Sequence, residues 1–322
     1  MSTDLVDALF SRATGAGIDP HDYRHSCATV TAPDEWAPAC ERAAARYLGT
    51  VGSAITRGEH LLMAARWLHL ATLVPDRGAH RAAAAADAAA AAGYSLLEPN
   101  SRRITGAGFT GILRTPADPV GTVIVIPGLD SSKDEFHPLA DALLRRGVAV
   151  YAMDGPGQGV LAADSTLSTG YPAVLSRAID AVGAATVGVV GLSLGGYYAA
   201  AATALDHRIT VAATVSGPFR LDWPAMPPAV RELMTRRAGD AEAAAAFAAT
   251  VDLTDLAPAV RVPLLVVDGD ADRIPGVTDG AALASIAPNG RYLRIPGGDH
   301  LVGTHRSAWL PALADHLTEG LA

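Results

Sequence analysis

The stretch 186–202 constrains the fold more than any other part of this 322-residue chain. Its apolar, mostly β-branched run 186–190 predicts a strand, and the alanines at 199–202 predict a helix. Between them lies a Gly-x-Ser-x-Gly motif at 191–195, typical of a sharp turn that holds a serine in strained backbone geometry between residues without side chains. The hydroxyl would stand at a helix N-terminus, where developing negative charge is stabilised. Ser193 is therefore a candidate nucleophile; the alternative is a serine that only caps the helix.

Strands and helices alternate from about residue 122 to the end of the chain. Apolar strands are predicted at 122–126, 148–152, 187–190, 209–215, 262–267 and 292–295, with helical patterns between them. Strands that are apolar on both faces are typical of a parallel sheet covered on both sides. The alternation predicts an α/β fold, doubly wound, with a mostly parallel sheet.

Residues 4–92 have helical periods and no strand pattern. Apolar residues recur at three- and four-residue steps in 36–47 and again in 61–70, as amphipathic helices require. The alanine-rich run 81–92 predicts a third helix, with Gly93 as its C-cap. We expect about three to five helices in this part of the chain.

These patterns predict two domains. Residues 1–93 form the N-terminal helical domain, and residues 94–322 form the catalytic α/β domain, which starts with short strands at 94–97 and about 109–113. The alanine-rich stretch within 225–255 is a candidate helical cap insertion.

A serine nucleophile needs a histidine base and an acid, which follow it in the order acid, then histidine, in folds with this turn. Asp272 comes after the strand 262–267, and His300 comes after the strand 292–295. Active-site residues collect at the carboxyl ends of parallel strands. We therefore predict a catalytic triad of Ser193, Asp272 and His300. The other titratable candidates in these two loops, weaker in this order, are Asp270, then Asp268, Asp299 and His305.

The tetrahedral intermediate needs two N–H donors for its oxyanion. We predict the backbone amide of Leu194, directly after the nucleophile, and that of Leu129, in the glycine-containing loop 127–135. In this loop, Asp130 and Lys133 are expected to brace the backbone rather than to contact substrate.

Two further patterns lie in loops that follow strands. Ser132 and Glu135 have capping-box spacing, which predicts the start of the next helix. The glycine-rich loop 154–159 follows the strand 148–152, but it lacks the Gly-Lys-Ser ending and the Gly-x-Gly-x-x-Gly spacing of phosphate-binding loops. It is interpreted as a structural turn beside the active site.

Composition excludes several function classes. The net charge is −8 with no basic run, which argues against a nucleic-acid partner. No apolar stretch is long enough to span a membrane, and the first residues lack a secretory signal. Cys27 and Cys40 match no metal spacing and imply no disulfide framework. We expect a cytoplasmic protein without a metal or another cofactor.

The loops 127–135 and 154–159, together with the triad order, resemble the α/β-hydrolase superfamily. With the helical pattern 59–75, they are similar to one subgroup. That subgroup contains the pseudooxynicotine C–C hydrolases, the fungal polyketide-shortening hydrolases of pigment synthesis and the fermentation-respiration switch (esterase) proteins. The resemblance implies an α/β-hydrolase fold with an N-terminal helical lid domain over the active site, and a homodimer formed through that domain.

The C–C hydrolases of this subgroup use an acidic residue beyond the triad. Asp222, after the strand 209–215, could take that role or could equally cap the next helix. The residues interpreted as substrate-contacting are Asp222, Trp223, Tyr197 and Trp67. For the three aromatic residues, ordinary core packing is the alternative.

The expected activity is that of a serine hydrolase. Its small-molecule substrate would be a medium-sized, apolar or aromatic, polyketide-like natural product with a reactive carbonyl in an ester, a thioester or a ketone whose C–C bond is cleaved. Two alternatives stay open. One is an enzyme of this fold that forms or rearranges C–C bonds or transfers an acyl group in a biosynthetic pathway. The other is a non-catalytic binding protein on the same scaffold.

Overall fold

The computed structural model describes residues 2–74, 78–274 and 279–321, and these contain twelve α-helices and eight β-strands. The helices are α1 (Ser2–Gly15), α2 (Pro20–Cys27), α3 (Trp36–Leu48), α4 (Ala54–Ala71), α5 (Ala79–Leu97), α6 (His137–Leu144), α7 (Tyr171–Val182), α8 (Leu194–Leu205), α9 (Pro228–Ala238), α10 (Ala241–Thr250), α11 (Gly280–Ile286) and α12 (Arg306–Glu319). The strands are β1 (Arg102–Gly106), β2 (Phe109–Arg114), β3 (Gly121–Ile126), β4 (Val148–Asp154), β5 (Val187–Leu192), β6 (Ile209–Val215), β7 (Leu264–Gly269) and β8 (Gly290–Ile295). Pro75, at the end of the helical pattern 59–75, lies outside the described residues.

The chain divides into two compact units. A helical unit comprises Met1–Arg103 and Asp134–Pro138, and an α/β unit comprises Ile104–Lys133 and Leu139–Ala322. Residues 134–138 therefore belong to the helical unit although they follow β3 in the chain. The role of the helical unit as a lid stays a prediction.

Helices α4 and α5 of the helical unit approach closely at two glycines. A Cβ on Gly93 would lie 2.9 Å from Leu62 Cδ2 and 3.0 Å from the carbonyl oxygen of Gly58. Gly93 thus permits a close helix crossing and does not end α5, which continues to Leu97. The prediction of a strand at 94–97 is wrong, because Tyr94 is buried in the last turns of this helix.

The eight strands form one sheet in the order β1-β2-β4-β3-β5-β6-β7-β8. Strand β2 pairs antiparallel with β4, whereas β3, β4, β5, β6, β7 and β8 pair in parallel. The predicted doubly wound, mostly parallel sheet is confirmed. The strand order reverses between β3 and β5, and the carboxyl ends at such a switch point are where α/β sheets place their ligand sites. The loops after β3 and β5 meet there.

Two kinds of feature were searched for in the part of the chain that the structure describes: helices that could cross a membrane and groups of metal-binding side chains. No helix there combines the length and the apolar composition that crossing a membrane requires. No group of three or more histidine, cysteine, aspartate or glutamate side chains there could hold a metal ion. Cys27 and Cys40 are buried free thiols.

Candidate active site

A strained turn joins β5 to α8 at Ser193. Its backbone has φ 54° and ψ −128°, in a region that residues with a side chain rarely adopt. A Cβ on Gly191 would lie 1.9 Å from the carbonyl oxygen of Gly195, and a Cβ on Gly195 would lie 2.3 Å from that of Ile126. Only glycine fits at either position. The predicted strand, sharp turn and helix are present, and α8 begins directly after Ser193.

Ser193, His300 and Asp272 form one chain of hydrogen bonds. His300 Nδ1 lies 2.7 Å from Asp272 Oδ2, and His300 Nε2 lies 3.0 Å from Ser193 Oγ. An ionised carboxylate only accepts, so the network assigns the hydrogen to Nδ1 and leaves Nε2 to accept the serine hydroxyl. The Asp272 side chain is 1% exposed and that of His300 is 24% exposed. The structure therefore brings the three predicted triad residues together, with the imidazole reachable from solvent.

The weaker candidates beside the predicted triad residues hold the two loops that follow β7 and β8. Asp270 Oδ1 accepts the N–H of Gly297 at 2.6 Å. Asp299 Oδ1 accepts the N–H of Thr304 at 3.1 Å and its hydroxyl at 2.8 Å. His305 is exposed, with Nδ1 2.9 Å from Thr304 Oγ1. Asp270 thus joins the loops after β7 and β8, whereas Asp299 and His305 make contacts within the loop after β8.

The sequence did not predict the role of Ser216, which holds the loop that carries His300. Ser216 is fully buried at the end of β6, with φ 52°. Its hydroxyl oxygen accepts the N–H of Leu301 at 3.0 Å. Leu301 and Val302 both have positive φ, at 65° and 50°, so the backbone directly after His300 is strained. The only local signal was a serine at the carboxyl end of a buried strand.

The loop after β3 lies against the nucleophile. A Cβ on Gly128 would lie 3.0 Å from Ser193 Cβ and 3.2 Å from the carbonyl oxygen of Leu192. Leu129 and Leu194 are both buried. Among the described residues, no protein acceptor takes the backbone N–H of either. Both amides are free to donate to a ligand oxygen.

Lys133 braces this loop, as predicted. Its backbone N–H donates to Asp154 Oδ1 at 2.7 Å, and its Nζ lies 3.0 Å from Asp154 Oδ2. Both side chains are almost fully buried, at 2% and 0% exposure. The ion pair ties the loop after β3 to the loop after β4.

Comparison with known proteins identifies the family. The sequence profile of the alpha/beta hydrolase family matches residues 123–315. The chain belongs to the alpha/beta hydrolase family. It is 28% identical over 196 residues to 2,6-dihydropseudooxynicotine hydrolase of Paenarthrobacter nicotinovorans, a match that covers 56% of this chain and 53% of that protein. It is 31% identical over 280 residues to polyketide synthase ThaQ of Burkholderia thailandensis, covering 70% of this chain and 13% of that protein.

Solved structures share the fold of almost all of this chain. The crystal structure of 2,6-dihydroxy-pseudo-oxynicotine hydrolase superimposes with a TM-score of 0.81 at 24% identity, covering 97% of this chain and 95% of that one. Wild-type AbyA5 superimposes with a TM-score of 0.77 at 18% identity, covering 99% of both chains. The predicted resemblance to the pseudooxynicotine hydrolase subgroup is confirmed.

Glu135 does not form the predicted capping box in this alpha/beta hydrolase. Helix α6 begins at His137, and the Glu135 carboxylate is part of the helical unit. Its Oε1 lies 2.6 Å from Arg12 Nε, and its Oε2 lies 3.0 Å from His69 Nε2. Burial alone would raise the pKa of Glu135, but the Arg12 charge and the His69 hydrogen bond hold that pKa well below its usual range. The capping prediction is wrong, because these distant partners take the carboxylate.

Asp268 is a buried carboxyl on β7 close to the triad. It is 2% exposed. Burial, and next the negative charge of Asp272, raise the pKa of Asp268 from 3.8 to about 7. Neither carboxyl oxygen of Asp268 accepts a hydrogen bond from a described residue. The folded chain therefore favours the protonated form of Asp268 up to neutral pH.

Asp268→Asn is expected to raise the free energy of unfolding near pH 8 and to change it least near pH 4. Between pH 3.8 and about 7 the folded chain holds a proton on Asp268 that the unfolded chain has lost. The wild type therefore loses up to about 1.4 kcal/mol of stability per pH unit across this window as pH rises. Asparagine does not ionise, so the variant escapes that loss. Urea unfolding of both proteins at several pH values measures their free energies of unfolding. A difference between the two free energies that does not change with pH would contradict the prediction.

The four residues interpreted as substrate-contacting lie in different surroundings. The Tyr197 hydroxyl donates to the carbonyl oxygen of Thr250 at 2.8 Å, and Trp223 is half-buried against the core of the α/β unit. Asp222 is exposed, and its side chain makes no cap hydrogen bond to the short turn that follows. Trp67 is fully buried in the helical unit, where its ring stacks on Tyr23 with centroids 6.3 Å apart. Their contact with a substrate stays a prediction.

Proposed function

We propose that this chain is a serine hydrolase that cleaves a carbonyl compound with Ser193, His300 and Asp272. The observation that carries the proposal is the unbroken hydrogen-bond chain, 3.0 Å from Ser193 Oγ to His300 Nε2 and 2.7 Å from His300 Nδ1 to Asp272 Oδ2. Nucleophile, base and orienting acid lie within the reach that this chemistry needs.

Each residue has a defined task in the proposed reaction. The Ser193 oxygen attacks the carbonyl carbon while His300 Nε2 takes the hydroxyl proton, and Asp272 stabilises the imidazolium that forms. The N–H groups of Leu129 and Leu194 hold the oxyanion. His300 then gives the proton to the leaving group, and the acyl group stays on Ser193. Water attacks the acyl-enzyme with His300 again as the base, which releases the acid and restores the serine.

The relatives guide the choice of substrate. One relative is a hydrolase of 2,6-dihydropseudooxynicotine and another is a polyketide synthase. We infer a medium-sized, apolar or aromatic, polyketide-like substrate with an ester, thioester or ketone carbonyl. A role in natural-product biosynthesis and a homodimeric state are part of this proposal. Ester and thioester cleavage need only the residues above, whereas C–C cleavage also calls for a further acid, for which Asp222 is the candidate.

A second candidate is acyl transfer to an acceptor other than water. The match of 70% of this chain to part of a polyketide synthase favours it. The acyl-enzyme on Ser193 would be the same, and only the second nucleophile would differ.

A fluorophosphonate probe and ¹⁸O-labelled water together test the proposal. The wild type should gain the probe on Ser193, located by peptide mass spectrometry, and Ser193→Ala should not. In labelled water, hydrolysis of p-nitrophenyl butyrate should place ¹⁸O in the butyrate. If the probe reacted equally with both proteins, or did not react with the wild type, Ser193 would not be the nucleophile. Labelling of Ser193 with acyl transfer to an added alcohol and no ¹⁸O incorporation would favour the second candidate.

A further inference from the structure

The glycine-rich loop 154–159, which resembles no phosphate site, contains a fully buried glutamine. Gln158 has 0% exposure, and its side-chain amide uses all four of its hydrogen-bonding positions. Oε1 accepts the N–H of Gly155 at 3.0 Å and the hydroxyl of Tyr171 at 2.8 Å. Nε2 donates to the carbonyl oxygens of Pro127 at 2.6 Å and Gly128 at 3.1 Å. Two donors face Oε1 and two acceptors face Nε2, so the network fixes the orientation of the amide.

One of these bonds acts on the peptide that carries the Leu129 N–H. The carbonyl of Gly128 and the N–H of Leu129 belong to the same peptide group. The described residues contain no cis peptide bond, so this N–H points away from its carbonyl. A donor fixed on the carbonyl side therefore sets the direction of the N–H on the other side. It also polarises the peptide, which makes its N–H a stronger donor.

Other contacts keep Gln158 and the loop after β3 in place. The Gly159 N–H donates to the Ser131 carbonyl oxygen at 3.2 Å, and the Val160 N–H donates to Asp154 Oδ2 at 3.2 Å. A Cβ on Gly159 would lie 2.2 Å from Asp154 Oδ2, so that position needs glycine. The Tyr171 ring stacks on Tyr198 with centroids 3.8 Å apart. The side-chain amide of Gln158 is therefore held in place by closely packed neighbours.

We propose that Gln158 is a positioning residue of the oxyanion site: its side-chain amide fixes and polarises the peptide between residues 128 and 129 so that the Leu129 N–H meets the oxyanion. This inference rests on the proposed function, in which Ser193 forms a tetrahedral adduct. Gln158 itself does not touch the substrate.

Two variants separate positioning from packing. Gln158→Met keeps the length of the side chain and removes both donors to the loop. Tyr171→Phe is the matched control, because it removes one buried hydrogen bond to Oε1 and leaves Nε2 with both carbonyls. With p-nitrophenyl butyrate, Gln158→Met should lower kcat roughly 10- to 100-fold with little change in KM, whereas Tyr171→Phe should stay within about threefold. Titration with the fluorophosphonate counts folded sites, so a loss of folded protein does not count as a loss of kcat.

The Leu129 amide itself gives a second readout. Carbonyl-¹³C glycine with ¹⁵N leucine labels three peptides, at Leu129, Leu192 and Leu321. An alkyl boronic acid forms a tetrahedral adduct on an active-site serine and mimics the oxyanion. In the wild type it should move the Leu129 amide proton downfield, and in Gln158→Met this shift should shrink and the affinity for the boronate should fall.

The outcomes are distinct. If fluorophosphonate and boronate both fail to react with the wild type, the proposed function fails. If they react but the wild-type Leu129 amide does not move, the inference about Gln158 is overturned without any variant. Equal losses of kcat in Gln158→Met and Tyr171→Phe would also overturn it, since a packing role predicts that result. If Gln158→Met does not fold, Gln158→Glu, which keeps the shape and offers at most one donor, replaces it in the same measurements.

Discussion

Replacement of Ser193 by alanine is expected to lower kcat for p-nitrophenyl butyrate roughly 10⁴- to 10⁶-fold. The substitution removes the only group that forms a covalent bond to the substrate in the proposed reaction. The amides of Leu129 and Leu194 stay in place. Asp272→Asn should lower kcat about 10⁴-fold, because asparagine can turn its N–H₂ toward His300 and stabilise the wrong tautomer. The double variant should be no slower than Ser193→Ala alone, since residues that act as one unit do not have additive effects. Steady-state kinetics with the same ester measures all three.

Asp270→Asn is the matched control for the acid. Asp270 lies in the same turn, and its carboxylate accepts the N–H of Gly297 at 2.6 Å. Asparagine keeps an acceptor at that place, so kcat should stay within about tenfold of the wild type. If Asp270→Asn lowered kcat as much as Asp272→Asn, the loss of activity would come from disturbing the turn and not from losing the carboxylate beside His300. Wild-type activity in Ser193→Ala would contradict the whole assignment.

The meeting of the three predicted triad residues could be foreseen because each of them follows its own strand. Ser193 comes directly after β5, and Asp272 and His300 come a few residues after β7 and β8. Strands of this kind leave a local signal, an apolar run, and their carboxyl ends meet at one edge of a parallel sheet. The glycines around Ser193 added a second local signal, since a Cβ there would overlap the backbone.

Contacts between residues far apart in sequence were not predictable in the same way. Gly93 was predicted to end a helix. Its lack of a side chain instead allows the close contact with Gly58 on the neighbouring helix. Glu135 had the spacing of a cap, but Arg12 and His69 take its carboxylate. Propensity and spacing describe neighbours in the chain, and a tertiary partner can override both. The role of Ser216 was missed for this reason too, because its acceptor function depends on a loop from another strand.

Glu135→Ala is expected to lower the free energy of unfolding of the helical unit by about 3–5 kcal/mol. The Glu135 side chain is 3% exposed, that of His69 is 2% exposed and that of Arg12 is 16% exposed. Removal of the carboxylate takes away the acceptor that Glu135 gives to the Arg12 guanidinium and the His69 ring at this buried place. Glu41→Ala is the control in the same unit, since Glu41 pairs with an Arg81 side chain that is 77% exposed. Its cost should stay below about 1 kcal/mol. Urea unfolding measures both, followed by the fluorescence of Trp36 and Trp67 in chains in which Trp223 and Trp309 of the α/β unit are replaced by phenylalanine.

The pH dependence separates a lost charge pair from lost packing. Because the pKa of Glu135 is lowered in the folded chain, its contribution to stability is present above the ordinary glutamate range and is lost as pH falls below it. The gap between wild type and Glu135→Gln, which keeps the size of the side chain, should therefore narrow as the solution is acidified. A gap that stays constant would mean that Glu135 acts through packing alone. Residues 134–138 would still complete the helical unit, but the charge of Glu135 would not be what holds them there.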